Sequence, residues 1–209
     1  MPKILEVVEV QERIIVESGQ LFGKYGIRSM TMDALAEKMG ISKRTIYEKF
    51  KDKDALLLEV IKYYKKQSTD QAHLILDEAD NAIEAMFRIM KMTISQIEQM
   101  NPVFFNDFRK YHLKVFQQLA SGGVIRDYSI TRKLLDTGVK QKVFRNELNI
   151  EIVNLTLHQL FELFGHESKL VDAGYRRKEM FDHIMIPYYR GISTDKGIAL
   201  LEECKSILD

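Results

Sequence analysis

The chain of 209 residues contains one cysteine, three prolines and almost no net charge. With Cys204 alone, no intrachain disulfide can form and the usual thiolate-rich structural zinc cluster cannot be assembled. Thirty-one Lys and Arg against 30 Asp and Glu leave +1, too balanced for binding polyanions along the whole surface. Any nucleic-acid function must therefore be local. No window supplies 18 uncharged apolar residues, and the opening Met-Pro-Lys-Ile-Leu-Glu carries charges where a secretory signal needs an unbroken apolar stretch. A soluble, cytoplasmic chain with no membrane partner is the expectation. Also missing are a Gly-rich phosphate loop and a Gly-x-Ser-x-Gly elbow, so no enzyme is expected and no cofactor is called for.

What is present reads as helix. Forty-five per cent of the residues are hydrophobic and 29% charged, enough to bury a core rather than remain disordered. Pro2, Pro102 and Pro187 leave long stretches free of the strongest helix breaker, and Leu, Ile, Met, Glu and Lys fill them, which predicts an all-α fold. Ile14, Ser18, Leu21, Phe22 and Tyr25 recur at helical spacing before Gly26, predicting a helix over about 9–25. Met32, Leu35, Ala36 and Met39 repeat the pattern behind Thr31, a good N-cap, and Gly40 ends it. Ser42 then offers a new N-cap, with Ile41 and Ile46 placed as a hydrophobic staple. Two short helices joined by Gly40-Ile41-Ser42 and packed on a longer one are the sequence form of a helix-turn-helix.

From Asp52 a longer pattern runs through Leu56, Leu57, Val60, Ile61 and Tyr64 to Leu76, and further helices are predicted at about 81–99, 102–120, 124–142, 149–165, 175–191 and 194–208. Charge is unevenly placed: residues 1–66 hold thirteen bases against ten acids, and 38–53 hold six bases against Glu48 and Asp52. Ile46 and Phe50, four apart, turn the apolar side of the second short helix inward. Lys43, Arg44, Tyr47 and Glu48 are then left toward solvent, where a major groove can receive them.

The stretch from Phe22 to Leu57, with Tyr25-Gly26, Thr31-Met32-Asp33, Ala36-Glu37-Lys38-Met39-Gly40-Ile41-Ser42, Thr45-Ile46-Tyr47 and Phe50 at its centre, resembles the DNA-binding domain of the tetracycline-repressor (TetR) family of bacterial transcriptional regulators. The resemblance implies a helix-turn-helix domain over 1–53 and a helical regulatory and dimerisation domain over 54–209. It further implies that Thr31, Tyr47 and Lys53 grip backbone phosphates while Lys43, Arg44 and Thr45 face base edges or nearby phosphate, with Ser42 and Lys49 also counted among the DNA-binding residues. Physical chemistry agrees, since helix N-termini attract phosphate and an exposed Arg can bond guanine O6 and N7 together. Many family members carry Gly where this chain has Arg44 and His where it has Lys49; both differences add cation at the interface.

Beyond residue 80 the segment 86–116 is rich in Met and Phe. Such stripes ordinarily form core, whereas the resemblance implies a ligand pocket in which Met86, Met90, Phe104, Phe105 and Phe108 meet an unknown small-molecule ligand and Arg109 or His112 anchors its polar end. The 149–165 and 175–191 helices are apolar on more than one face, so each needs two partners. The resemblance makes the second partner another copy of the chain, with Leu160, Phe164, Ile184 and Tyr188 at the dimer interface. His158, Glu162 and His166, four apart, have a spacing that suits a divalent metal. The leucines around them favour an interface helix instead, and no metal is expected. The implied whole is a homodimeric repressor of a palindromic double-stranded DNA operator, released by ligand. The alternative is a constitutive DNA-binding dimer whose C-terminal domain is solid core or docks a protein partner.

Overall fold

The computed structural model describes residues 2–121, 123, 127–165 and 168–208, with side chains from Glu9 onward. The fold is all-α, and the one bridge among the described residues pairs Phe144 with Ser193. In chain order the helices are α1 (Pro2–Tyr25), α2 (Met32–Met39), α3 (Lys43–Lys49), α4 (Lys53–Glu78), α5 (Ala82–Gln99), α6 (Pro102–Tyr111), α7 (Leu113–Ser121), α8 (Ser129–Lys140), α9 (Ile150–Glu162), α10 (Lys169–Asp172), α11 (Arg177–Met180), α12 (Ile186–Ile192) and α13 (Asp195–Cys204). A π turn, Phe181–Met185, joins α11 to α12, and a 3-10 turn, Lys205–Leu208, follows α13.

These elements form two compact units, 1–68 with 99–126 and 69–98 with 127–209. In the first, α2 buries Met32, Leu35, Ala36 and Met39, the apolar face predicted from their spacing. They join Ile14, Phe22, Ile27, Ile46, Leu56 and Leu57 in one cluster, to which α6 and α7 add Phe104, Val115 and Leu119. Gly40 closes α2 at φ +66°, a left-handed cap from which its N–H reaches back to the last turn of the helix. In the second unit Ile83, Phe87, Leu135, Val143, Leu157, Phe181, Met185 and Leu201 form a separate core. There Phe87 meets Phe181 edge-on, with ring centroids 5.6 Å apart.

Several predicted helices differ in the structure: α1 starts at Pro2 rather than near residue 9, α9 ends at Glu162, and the short α10 was not predicted. The helix at 102–120 is broken in two at His112, whose backbone leaves the helical region at φ −120°, ψ 39°. Its buried ring turns inward, with Nδ1 2.6 Å from Asp54 Oδ1 at the start of α4. The helix at 175–191 starts at Arg177 and widens by one residue before Pro187, where the Ile186 N–H donates to the Phe181 carbonyl five residues back. Proline supplies no N–H and crowds the carbonyl four residues earlier, which the wider turn relieves. The helix at 124–142 is described from Ser129 onward, residues 124–126 lying outside the described residues.

Candidate nucleic-acid interface

α3 is a seven-residue helix, too short to persist alone, so its neighbours must hold it. Ser42 caps its start, with the Thr45 N–H 3.0 Å from Ser42 Oγ, and Ile46, fully buried, anchors it to the core of the first unit. Burying such a side chain contributes about 1.5–3 kcal/mol. Ile46 is the one buried residue of this helix, and the face opposite is open.

That open face carries the residues that the sequence singles out. Tyr47 is half exposed, and Lys49 is partly covered by its own unit. The Ser42 and Thr45 hydroxyls lie 2.8 Å apart and share a hydrogen bond. Lys43 is paired with Asp33 of α2, across the turn, and this hydrogen bond with the attendant charge attraction holds the ammonium above its ordinary pKa. Arg44 Nε donates to Glu48 Oε1 at 2.7 Å, which likewise raises the guanidinium. Thr31 caps α2 from an exposed position, accepting the Ala34 N–H at 3.1 Å. Lys53 opens α4 and donates to the carbonyls of Ile27 at 3.1 Å and Met30 at 3.3 Å. Partial burial lowers its pKa below the usual lysine range. Thr31, Ser42, Lys43, Arg44, Thr45, Tyr47, Lys49 and Lys53 thus all lie in one unit, on α3, at the start of α4 or at the N-caps of α2 and α3.

Two carboxylates share this surface: Glu48, which the sequence already places on the open face, and Asp33, which it does not single out. Glu48 follows Arg44 at the helical i,i+4 spacing and was legible; the Asp33–Lys43 pair joins two helices and was not. Sequence also misses how α6 is tied to the turn before α2. Asp107 Oδ2 accepts the Arg28 N–H at 2.8 Å, and the Arg28 guanidinium lies over the Tyr111 ring. Gly26, at φ +85°, lets α6 approach so closely that a Cβ there would stand 2.8 Å from Val103 Cγ1.

The residues expected to meet a ligand fall in two places. Met86 and Met90 are buried in the core of the second unit, while Phe104, Phe105 and Phe108 belong to that of the first. His112 is the partner of Asp54, and Arg109 is exposed on α6. A surface cavity of about 200 Å³ in the second unit is lined by Lys91, Ile94, Ser95, Glu98, Lys178 and Leu208 instead. Of the residues expected at a dimer interface, Phe164 is buried within its own unit, and Leu160, Ile184 and Tyr188 are partly buried against the same core. Ile152, Leu155 and Leu163 of the same region stay exposed, Ile152 by 62%. His158 packs face to face on Tyr128 at 3.8 Å and shares a hydrogen bond with Thr131, and His166 lies outside the described residues. No metal-binding cluster occurs among the described residues, and no described helix is long and apolar enough to cross a membrane.

Residues 14–60, which span α1 to the first turns of α4, match the family described as bacterial regulatory proteins, tetR family. Over 188 residues the chain is 24% identical to the uncharacterized HTH-type transcriptional regulator YvaF of Bacillus subtilis (strain 168), covering 90% of this chain and 97% of that one. The fold resembles that of the TetR-family protein CprB from S. coelicolor A3(2), with a TM-score of 0.62 at 18% identity over 97% of this chain and 98% of that one. It also resembles the transcriptional regulator FadR from Bacillus subtilis in complex with stearoyl-CoA, with a TM-score of 0.61 at 16% identity over 94% and 96%. Residues 14–60 thus carry the N-terminal domain of the tetR family of bacterial regulatory proteins, in a chain whose fold is like that of a TetR-family protein over nearly its whole length.

Proposed function

We propose that the chain is a cytoplasmic, homodimeric repressor that binds an inverted-repeat operator through residues 1–53 and is released when a small molecule binds residues 54–209. The observation that carries the DNA half is α3: capped by Ser42, anchored by the buried Ile46, and presenting Lys43, Arg44 and Tyr47 to solvent. Two copies related by a two-fold axis read the same half-site twice, so the operator is palindromic. The FadR structure with stearoyl-CoA, a regulator of this fold with a small molecule bound, supports ligand binding, and Met86, Met90, Phe104, Phe105, Phe108, Arg109 and His112 are the residues we assign to it. Release works by linkage: the ligand binds better to a state whose two reading helices are wrongly spaced, and shifts the population by no more than that difference in affinity.

A second reading has one observation in its favour. The apolar residues assigned to the ligand divide between two packed cores, which suits a constitutive DNA-binding dimer with a solid C-terminal domain.

Selection of bound sequences from random duplex DNA tests the DNA half, and an inverted repeat should be enriched. Lys53→Ala should then weaken binding to the selected and a scrambled duplex alike, and flatten the dependence of log affinity on log salt by about one phosphate contact. A melting curve run beside it separates this from loss of the bonds to Ile27 and Met30. Equal, weak binding of both duplexes by the unaltered protein at physiological salt rejects the reading.

A further inference from the structure

Arg44 is the most open cation of α3, with 87% of its side chain exposed, yet its guanidinium is held. Nε donates to Glu48 Oε1 at 2.7 Å, one helical turn further on. A guanidinium is planar and carries five N–H groups in fixed directions. With Nε engaged, the two outer nitrogens still present a parallel pair of N–H groups at the tip. That pair matches the O6 and N7 acceptors at the major-groove edge of guanine.

Folding does not account for the pair. Glu48 is itself 55% exposed, and an exposed ion pair in water adds little to stability because solvent screens it and two long side chains lose freedom. A carboxylate on the open face of a helix meant for a polyanion also opposes binding. Inside a groove, where water is displaced, the balance changes: the ion pair strengthens, and an Arg already fixed in direction loses less entropy on contact.

We propose that Glu48 is a positioning residue for sequence reading: it aims Arg44 at one guanine per half-site, lowering sequence-independent affinity while sharpening discrimination. This rests on the DNA reading of α3 proposed above. The experiment takes the duplex selected by the full-length protein and replaces each base pair of the half-site in turn, with affinities measured for the unaltered protein, Arg44→Ala, Glu48→Ala and Glu48→Gln. Arg44→Ala identifies the guanine that Arg44 reads. At that position Glu48→Ala should lower the preference for guanine roughly tenfold while leaving affinity for a scrambled duplex unchanged or raised. Glu48→Gln, which keeps an oxygen to accept the Nε–H, should retain part of the preference. Circular dichroism of each variant establishes that the helices are intact. Glu48→Ala binding with the full preference at the Arg44 position overturns the proposal, and so does a preference lost at a position that Arg44→Ala does not affect, which makes Glu48 a base reader in its own right. Absence of any preferred sequence for the unaltered protein overturns the DNA reading itself, an outcome visible before any variant is made.

Discussion

At the scale of single residues, two glycines test how tightly the first unit is built. Gly26 and Gly40 both hold φ in the left-handed region, which costs an L side chain about 1–2 kcal/mol. Around Gly40 there is open space, so Gly40→Ala should lower stability by about that amount and no more. At Gly26 a methyl group also runs into Val103 and approaches the Asp107 carboxylate, and overpacking adds about 1–3 kcal/mol. Urea melts should therefore rank Gly26→Ala as the more damaging of the two. Equal midpoints would show that α6 does not press on the turn after α1. The same local chemistry made part of the site readable in advance. Thr31 and Ser42 announce themselves as caps because a hydroxyl before an apolar periodic run has one structural use. Lys53 does not announce its bonds to Ile27 and Met30, which join positions more than twenty residues apart.

At the scale of elements, the limits of periodicity become physical. Apolar spacing located α2, α3 and α4 because each buries one stripe, and a stripe repeats every turn. It missed the break at His112 because the spacing of Phe104, Phe108 and Phe116 continues across it; the cause is a contact with Asp54, a long-range partner. Pro187 was visible, but whether the helix around it stops, kinks or widens depends on what its neighbours allow. α6 shows what such long-range bonds do. Asp107 is 5% exposed and its Oδ2 is the acceptor for the Arg28 N–H, two residues before the helix-capping segment at Met30 and Thr31. Asp107→Ala leaves that N–H without a partner and should lower stability by about 1–3 kcal/mol. Asp107→Asn keeps an oxygen in place and should lower it less. A denaturant midpoint unmoved by Asp107→Ala would mean that α6 contributes nothing to holding the turn that leads into α2 and α3.

At the scale of the whole molecule, the question is what covers the apolar side of α9. Leu157 and Val153 face the core of the second unit, while Ile152, Leu155 and Leu163 lie on the other side of the helix and remain exposed. An isolated Leu in water is ordinary, but three on one stripe of a helix whose opposite stripe is already buried suit a second copy of the chain. The two stripes make opposite predictions for the same chemical change. Leu157→Glu places a charge in a fully buried site with no partner, and the protein should unfold. Ile152→Glu alters a side chain that is 62% exposed in one copy, so the fold should survive while the pairing does not. Light scattering on the unaltered protein should give about twice the 24.4 kDa chain mass, and on the Ile152→Glu variant a mass near that of one chain with an unchanged helical spectrum. Because two half-sites need two linked readers, the same variant should also bind a single half-site as before and lose the added affinity for the full inverted repeat. A dimeric Ile152→Glu protein would move the interface away from α9, and an unaltered protein that is monomeric at micromolar concentration would remove the two-fold axis on which the palindromic operator depends.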